Sequence, residues 1–561
     1  MLDPVWNKPI EESDRALDPL GMNRVTDRLL NDLLSGITTL TRRARYYSFY
    51  TWLIGKLSKD PSINTVSDFK RNFYDAERIF MLACLAHEEK SGDHENHKSI
   101  FGSDKGRRIW KETGRNIDLN FRYFGNKLGG YGQAYQGSLT NIGLVETTDD
   151  ALYERPTDIG KLVSREFDKL INKTDFLNFS KKKSIKKGTL LKIGNNICLC
   201  RLKDKDSSDR EILKSIFFGL SPNFEKNPTI KLRKESLFLI LFVIDNLSKY
   251  KINITDQYFL DSCYFNEVND KNEIVDISIP DSINETKIYW KIFRSNDYFS
   301  FSLESVLTSF LEFLNENPYG GNIDDFLKKV KSDESLIQFC KVSGISVSYK
   351  ELLNMPLIDV INFLSEINGI KNFNQNPVQS SKLFDENSKM NSIFNEHKVT
   401  NAIELGLHSD KFNHYEVLGS WSALMLAVYM RFYWMRKDKK WVWLIRHTYG
   451  DISSARIIEE IEIHIRNKSF SFENFLDWLI KEYVIKRANE VFLGKYSSES
   501  RPKSFFHQEG KFYKQDREYF AGYRNTRFNS VITILEDLGL VDSFGTYYKI
   551  KDNAKKLMGV L

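Results

Sequence analysis

Four side chains near the C-terminus, Arg524, Asn525, Arg527 and Asn529, are of the types that read nucleic acid. Arginine pairs with guanine edges and phosphates, and asparagine with adenine edges, because their donors are held in fixed geometry. The stretch from Lys481 to Phe528 holds eleven Lys and Arg against six Asp and Glu. This end is therefore locally basic, although the whole chain is nearly balanced at a net charge of +6. Gln133 and Gln136 are the matching polar readers in a glycine-rich stretch, Gly129–Gly137, whose glycines allow close backbone approach. Arg42, Arg43 and Arg45 lead into an aromatic segment that ends at Leu53. Guanidiniums beside aromatic rings can grip phosphates and stack on bases; the alternative is a helix with an aromatic core face and a solvated start.

Other reactive residues are less organised. His87, His94 and His97 lie among Glu88, Glu89, Asp93 and Glu95. A metal needs about four converging ligands, and this spacing matches no such motif. Cys84, Cys198, Cys200, Cys263 and Cys340 are scattered, and the Cys198–Cys200 pair lacks zinc-finger spacing. They read as reduced thiols of a cytoplasmic protein, with no metal and no cofactor expected. Asp75 with Glu88, Glu89 and Lys90 loosely mimics a nuclease carboxylate set, but on one helix rather than on a strand. There is no Walker A loop, dinucleotide fingerprint, nucleophile elbow or H-E-x-x-H.

The elements that must position these residues form a repeat. Ser138–Glu146 continues to Tyr153, Gly160 and Leu162; Ile534–Asp542 continues to Tyr548, Asn553 and Leu557. Each copy reads as an amphipathic helix, a glycine cap, a hairpin and a closing helix, and in the second the helix is expected to open at Tyr523. That order resembles a winged helix-turn-helix, whose second helix enters the major groove. Winged helices also serve as protein-docking modules.

Around this repeat the chain reads as mainly α and multi-domain, with two winged helix-turn-helix modules bearing small β-wings. Twelve prolines are few for 561 residues. The expected segments are 1–170, a helical domain ending in a winged helix; 171–230, a charged junction with a basic loop at Lys181–Lys187; 231–395, a helical middle; 396–495, an aromatic-rich helical domain; and 496–561, the second winged helix. Asn372–Asn391 reads as a polar loop. The most apolar stretch, Val417–Trp434, is shorter than the ~20 residues of a membrane span and holds Arg431, so a buried helix is expected and no membrane contact. The N-terminus shows no leader pattern.

Leu17–Met22 and Gly36–Tyr50 together resemble the start of uncharacterised bacterial proteins of anti-phage defence loci, of the Menshen kind. The resemblance covers a short segment and brings no catalytic set. It implies a non-catalytic sensor or adaptor beside other subunits of the same operon, such as an ATPase or nuclease. The expectation is a subunit that binds double-stranded DNA and docks a partner. The alternatives are a protein-only scaffold and a metal-dependent nuclease using His87, His94 and Asp93.

Overall fold

Bulky apolar residues at helical spacing, seldom interrupted by proline, favour helices, and the computed structural model is mainly α with short antiparallel sheets. It describes residues 18–147, 153–220, 228–409, 411–438, 452–495 and 504–559. Trp441 and Trp443 of the aromatic run, the polar loop Ser497–Lys503 and the N-terminal Met1–Leu17 lie outside the described residues. Two compact units form, each from non-consecutive segments. The first comprises 30–259, 277–287 and 525–561; the second comprises the chain up to 29, 260–276 and 288–524. Among the described residues no helix is long and apolar enough to cross a membrane.

In the first unit, α1 (Arg45–Leu57) is buried at every residue but Lys56. Phe49 stacks on Phe80 of α2 (Val66–Ser91) with ring centroids 4.0 Å apart. Thr65 starts α2 by accepting the Asp68 amide at 3.0 Å, which satisfies an amide that has no partner within the helix. The chain continues through β1 (Asn116–Asp118), α3 (Gln136–Asn141), β2 (Val145–Glu146), β3 (Arg155–Pro156) and α4 (Asp158–Ile171). β4 (Ser184–Lys186), α5 (Lys187–Ile197) and α6 (Ser208–Phe217) follow. The lysine run expected as a loop thus contains a strand: Ile185 is buried opposite Ile117 in the β1–β4 pair, while its neighbours Ser184 and Lys186 face outward. Alternation, not overall polarity, decides this segment.

The second unit contains β5 (Gly321–Asn322), α7 (Asp333–Ser343), α8 (Pro377–Asn387), α9 (Glu396–Leu407) and α10 (His414–Phe432). α10 is buried over nearly its whole length, with α7, α8 and α9 packed around it. Its Arg431 is held by a two-pronged pairing with Glu396 at 2.7 and 2.8 Å. The stretch expected as a polar loop, Asn372–Asn391, contains α8: Asn376 caps it and Pro377 occupies its first turn, where a missing N–H costs nothing. β6 (Phe506–Glu509) and β7 (Phe512–Gln515) form a hairpin whose β7 edge pairs with β5.

The first unit ends with α11 (Phe528–Asp537), β8 (Val541–Phe544), β9 (Tyr547–Ile550) and α12 (Asp552–Met558).

Candidate functional site

The repeated pattern is a repeat of hydrogen bonds. In the first copy Gly143 N donates to Thr140 O at 3.0 Å and Leu144 N to Leu139 O at 2.9 Å; in the second, Gly539 N donates to Glu536 O and Leu540 N to Leu535 O, both at 2.9 Å. These are the paired bonds of a Schellman cap, which needs a left-handed residue. Gly143 and Gly539 supply it at φ 82° and 68°. The leucine carbonyls are matched too: Leu144 O accepts Thr157 N at 3.1 Å, and Leu540 O accepts Lys551 N at 2.9 Å. The closing helix then seals each glycine carbonyl, with Thr157 Oγ1 on Gly143 at 2.7 Å and Asn553 Nδ2 on Gly539 at 2.9 Å. The closing leucines do not anchor equally. Leu162 is 47% exposed, and Val163 and Phe167 form the buried face of α4 instead.

The second copy departs from the expected module upstream of its helix. α11 begins at Phe528 rather than Tyr523, and residues 516–527 contain no helix. Arg524 and Asn525 therefore precede α11, and Arg527 is its left-handed cap at φ 64°. In the second unit, Arg524 N donates to Asp297 at 3.0 Å, and its guanidinium lies 3.7 Å from Glu304. Asn525 is exposed, and its side-chain oxygen accepts Arg527 N at 2.8 Å. The Arg527 guanidinium donates to Ile37 O at 2.8 Å and to Asn31 at 2.5 Å. Asn529 alone of the four lies on α11, exposed in its first turn.

In the first copy Gln133 and Gln136 are exposed, and Gln136 donates to Glu154. The backbone approach its glycines permit is internal: a Cβ on Gly129 would lie 1.7 Å from a Glu77 oxygen. Glu77 is buried and accepts Gly130 N at 3.0 Å and Tyr123 OH at 2.9 Å. Burial pushes its carboxyl up to about 7 against these donors.

Of the three N-terminal arginines only Arg42 is exposed. The solvated role expected of Arg43 and Arg45 gives way to internal ion pairs. Arg45 pairs with Asp209 at 2.8 Å and donates to Cys198 O at 2.9 Å. Arg43 grips Asp537 of α11 at 2.8 and 2.9 Å, and a further nitrogen donates to Asn96 O and Lys98 O. Burial disfavours the Arg43 charge, but Asp537 outweighs it and holds the guanidinium above the ordinary arginine value.

This pair floors a cleft of about 550 Å3 walled by α11, the β8–β9 hairpin and the 95–99 turn. Arg42, Lys98 and Lys203 bring positive charge to it; Glu95, Glu536 and Asp542 bring equal negative charge. No family model matches the chain, and neither a curated protein nor a solved structure is significantly similar to it.

A second constellation of the first unit was invisible in the spacing of its residues. His87, His97, Cys198 and Cys200 bring one ligand atom each to within 4.8 Å of one another. His87 comes from the last turns of α2, His97 ends a short turn at Glu95–His97, and the cysteines follow α5. Gly194 makes this meeting possible, since a Cβ there would lie 2.2 Å from Ala83 O of α2. His87 Nδ1 and His97 Nε2 are 3.2 Å apart; Cys200 Sγ lies 3.3 and 3.4 Å from them and 3.5 Å from Cys198 Sγ. Its hydrogen bond with Cys198 and its burial push the Cys200 thiol up to about 11, against the two imidazoles. The nuclease set does not converge. His94 leaves this group to pair with Glu88 at 2.8 Å, and Asp93 is turned toward Asn96.

Proposed function

We propose that this chain is a non-catalytic binding subunit whose C-terminal helix–hairpin–helix acts as a winged helix on double-stranded DNA, while other surfaces dock protein subunits. The observation that carries the DNA reading is a cationic arm, a set of exposed lysines on the hairpin and closing helix that follow α11. Lys549 is exposed on β9, a strand of the hairpin that would form the wing, and Lys555 and Lys556 are exposed on α12. Phosphate contacts of this kind supply affinity and position, not sequence reading. The resemblance of the N-terminal segment implies a sensor or adaptor in bacterial antiviral defence.

Binding to a generic duplex, followed across a salt series, tests this. The triple variant Lys549→Ala, Lys555→Ala, Lys556→Ala should bind more weakly, and its log–log salt slope should shrink by roughly 3. An unchanged affinity and slope would remove the arm from the interface.

The protein-only scaffold is the second reading, favoured by the charge balance of the cleft. A duplex backbone calls for net positive charge, whereas a cleft with both signs suits a polypeptide carrying both. Absence of duplex binding even at low salt, together with a cross-link from Thr533 to a subunit of the native complex, would establish it.

A further inference from the structure

We propose that His87, His97, Cys198 and Cys200 hold one zinc ion in a closed, four-coordinate structural site. A tetrahedral zinc with nitrogen ligands at ~2.0 Å and sulfur at ~2.3 Å has ligand–ligand edges of roughly 3.3–3.8 Å. Four of the six ligand–ligand separations, 3.2, 3.3, 3.4 and 3.5 Å, fall on or just inside those edges, and the other two lie within 4.8 Å. Two thiolates and two imidazoles form a set that prefers zinc to the oxygen-seeking magnesium or calcium. Four protein ligands complete the tetrahedron and leave no position for a substrate, so the site is structural.

The surroundings orient the ligands as a metal requires. His97 Nδ1 lies against the Asp93 carbonyl, which can only accept, so the proton sits on Nδ1 and the lone pair of Nε2 points into the cluster. That lone pair faces His87 Nδ1 and Cys200 Sγ, an arrangement that a shared cation stabilises. Arg45 holds the Cys198 carbonyl, and Arg43 holds the carbonyls of Asn96 and Lys98 on either side of His97. Both ligand turns are thus fixed from outside. A cleft of about 320 Å3 lined by His87, Lys90, Ser91, Asn195 and Arg201 opens beside the half-buried His87.

The ion would staple the 95–97 turn and the 199–203 turn to the end of α2. Lys203 of the larger cleft lies on the second of these turns and Lys98 directly follows the first, so zinc would set that wall independently of what the cleft binds.

The test uses the full chain purified under reductant. Elemental analysis should find one zinc per chain, and the Cys198→Ser, Cys200→Ser variant should lose it. Replacement by cobalt should give the intense visible bands of a tetrahedral ion together with a thiolate charge-transfer band in the near ultraviolet. The cobalt spectrum needs only the unaltered chain, so it decides even if the variant does not fold. A reduced chain that takes up no zinc, or cobalt bands without thiolate charge transfer, would show a hydrogen-bonded thiol–imidazole cluster instead and overturn the site.

Discussion

The first and second copies of the helix–hairpin–helix share their cap bonds to within about a tenth of an ångström, yet they meet different surroundings. Over the first copy, Glu77 is buried against Gly129 and Gly130, and Tyr131 and Tyr135 fill the core. The helix of the second copy keeps Asn529 exposed and is tied down at its far end, where Asp537 meets Arg43. Local cap chemistry builds both modules, and long-range partners decide what each is anchored to. Arg43→Ala should give the largest effect. It leaves Asp537 buried without its partner, and breaking such a pair typically costs about 3–5 kcal/mol. Urea unfolding measures it; a loss below ~1 kcal/mol would mean that α11 is held by its apolar face alone.

The first copy should differ in its response to pH. Folding raises the Glu77 carboxyl from 4.5 to about 7, chiefly through burial. Between these values the folded chain retains a proton that the unfolded chain has released, so stability falls as pH rises from about 4.5 to about 7. The full span is worth roughly 3 kcal/mol. Glu304 of the second unit is raised to about 7 by the same cause and contributes a parallel fall. Glu77→Gln should therefore make the slope shallower, read from unfolding midpoints across that window. An unaltered slope would show that Glu77 remains ionised in the folded chain.

The cap repeat and the buried aromatic helix were legible because each depends on residues close in sequence. A glycine ending a helix, then two apolar residues and a hairpin, states its hydrogen bonds locally. The arginines were misread for the opposite reason. Nothing near Arg43 or Arg45 announces Asp537 or Asp209, and an arginine cluster before an aromatic run looks solvated until its partners arrive from distant segments. The His–Cys constellation failed likewise: His87 and His97 lie far in sequence from Cys198 and Cys200, and they meet through the crossing of α2 and α5 and the packing of the two ligand turns. Gly194, lying on α5 just before Cys198, was the one local signal of that close crossing. The α8 helix was missed because its polar composition masked an Asn–Pro start.

The smallest effect tests whether the two copies are equivalent at their caps. Gly143→Ala places a Cβ in open space, and Gly539→Ala places one no closer than 3.7 Å to any neighbour. Neither substitution clashes, so each cost is that of holding alanine in the left-handed region, about 1–2 kcal/mol. The two variants should lose the same stability, and asparagine, which tolerates this conformation, should lose less at both sites. Equal losses with unequal effects on duplex binding would separate a shared scaffold from a single working face. A much larger loss at Gly539 would instead mean that the second cap is strained by its surroundings, and the copies would no longer count as one module used twice.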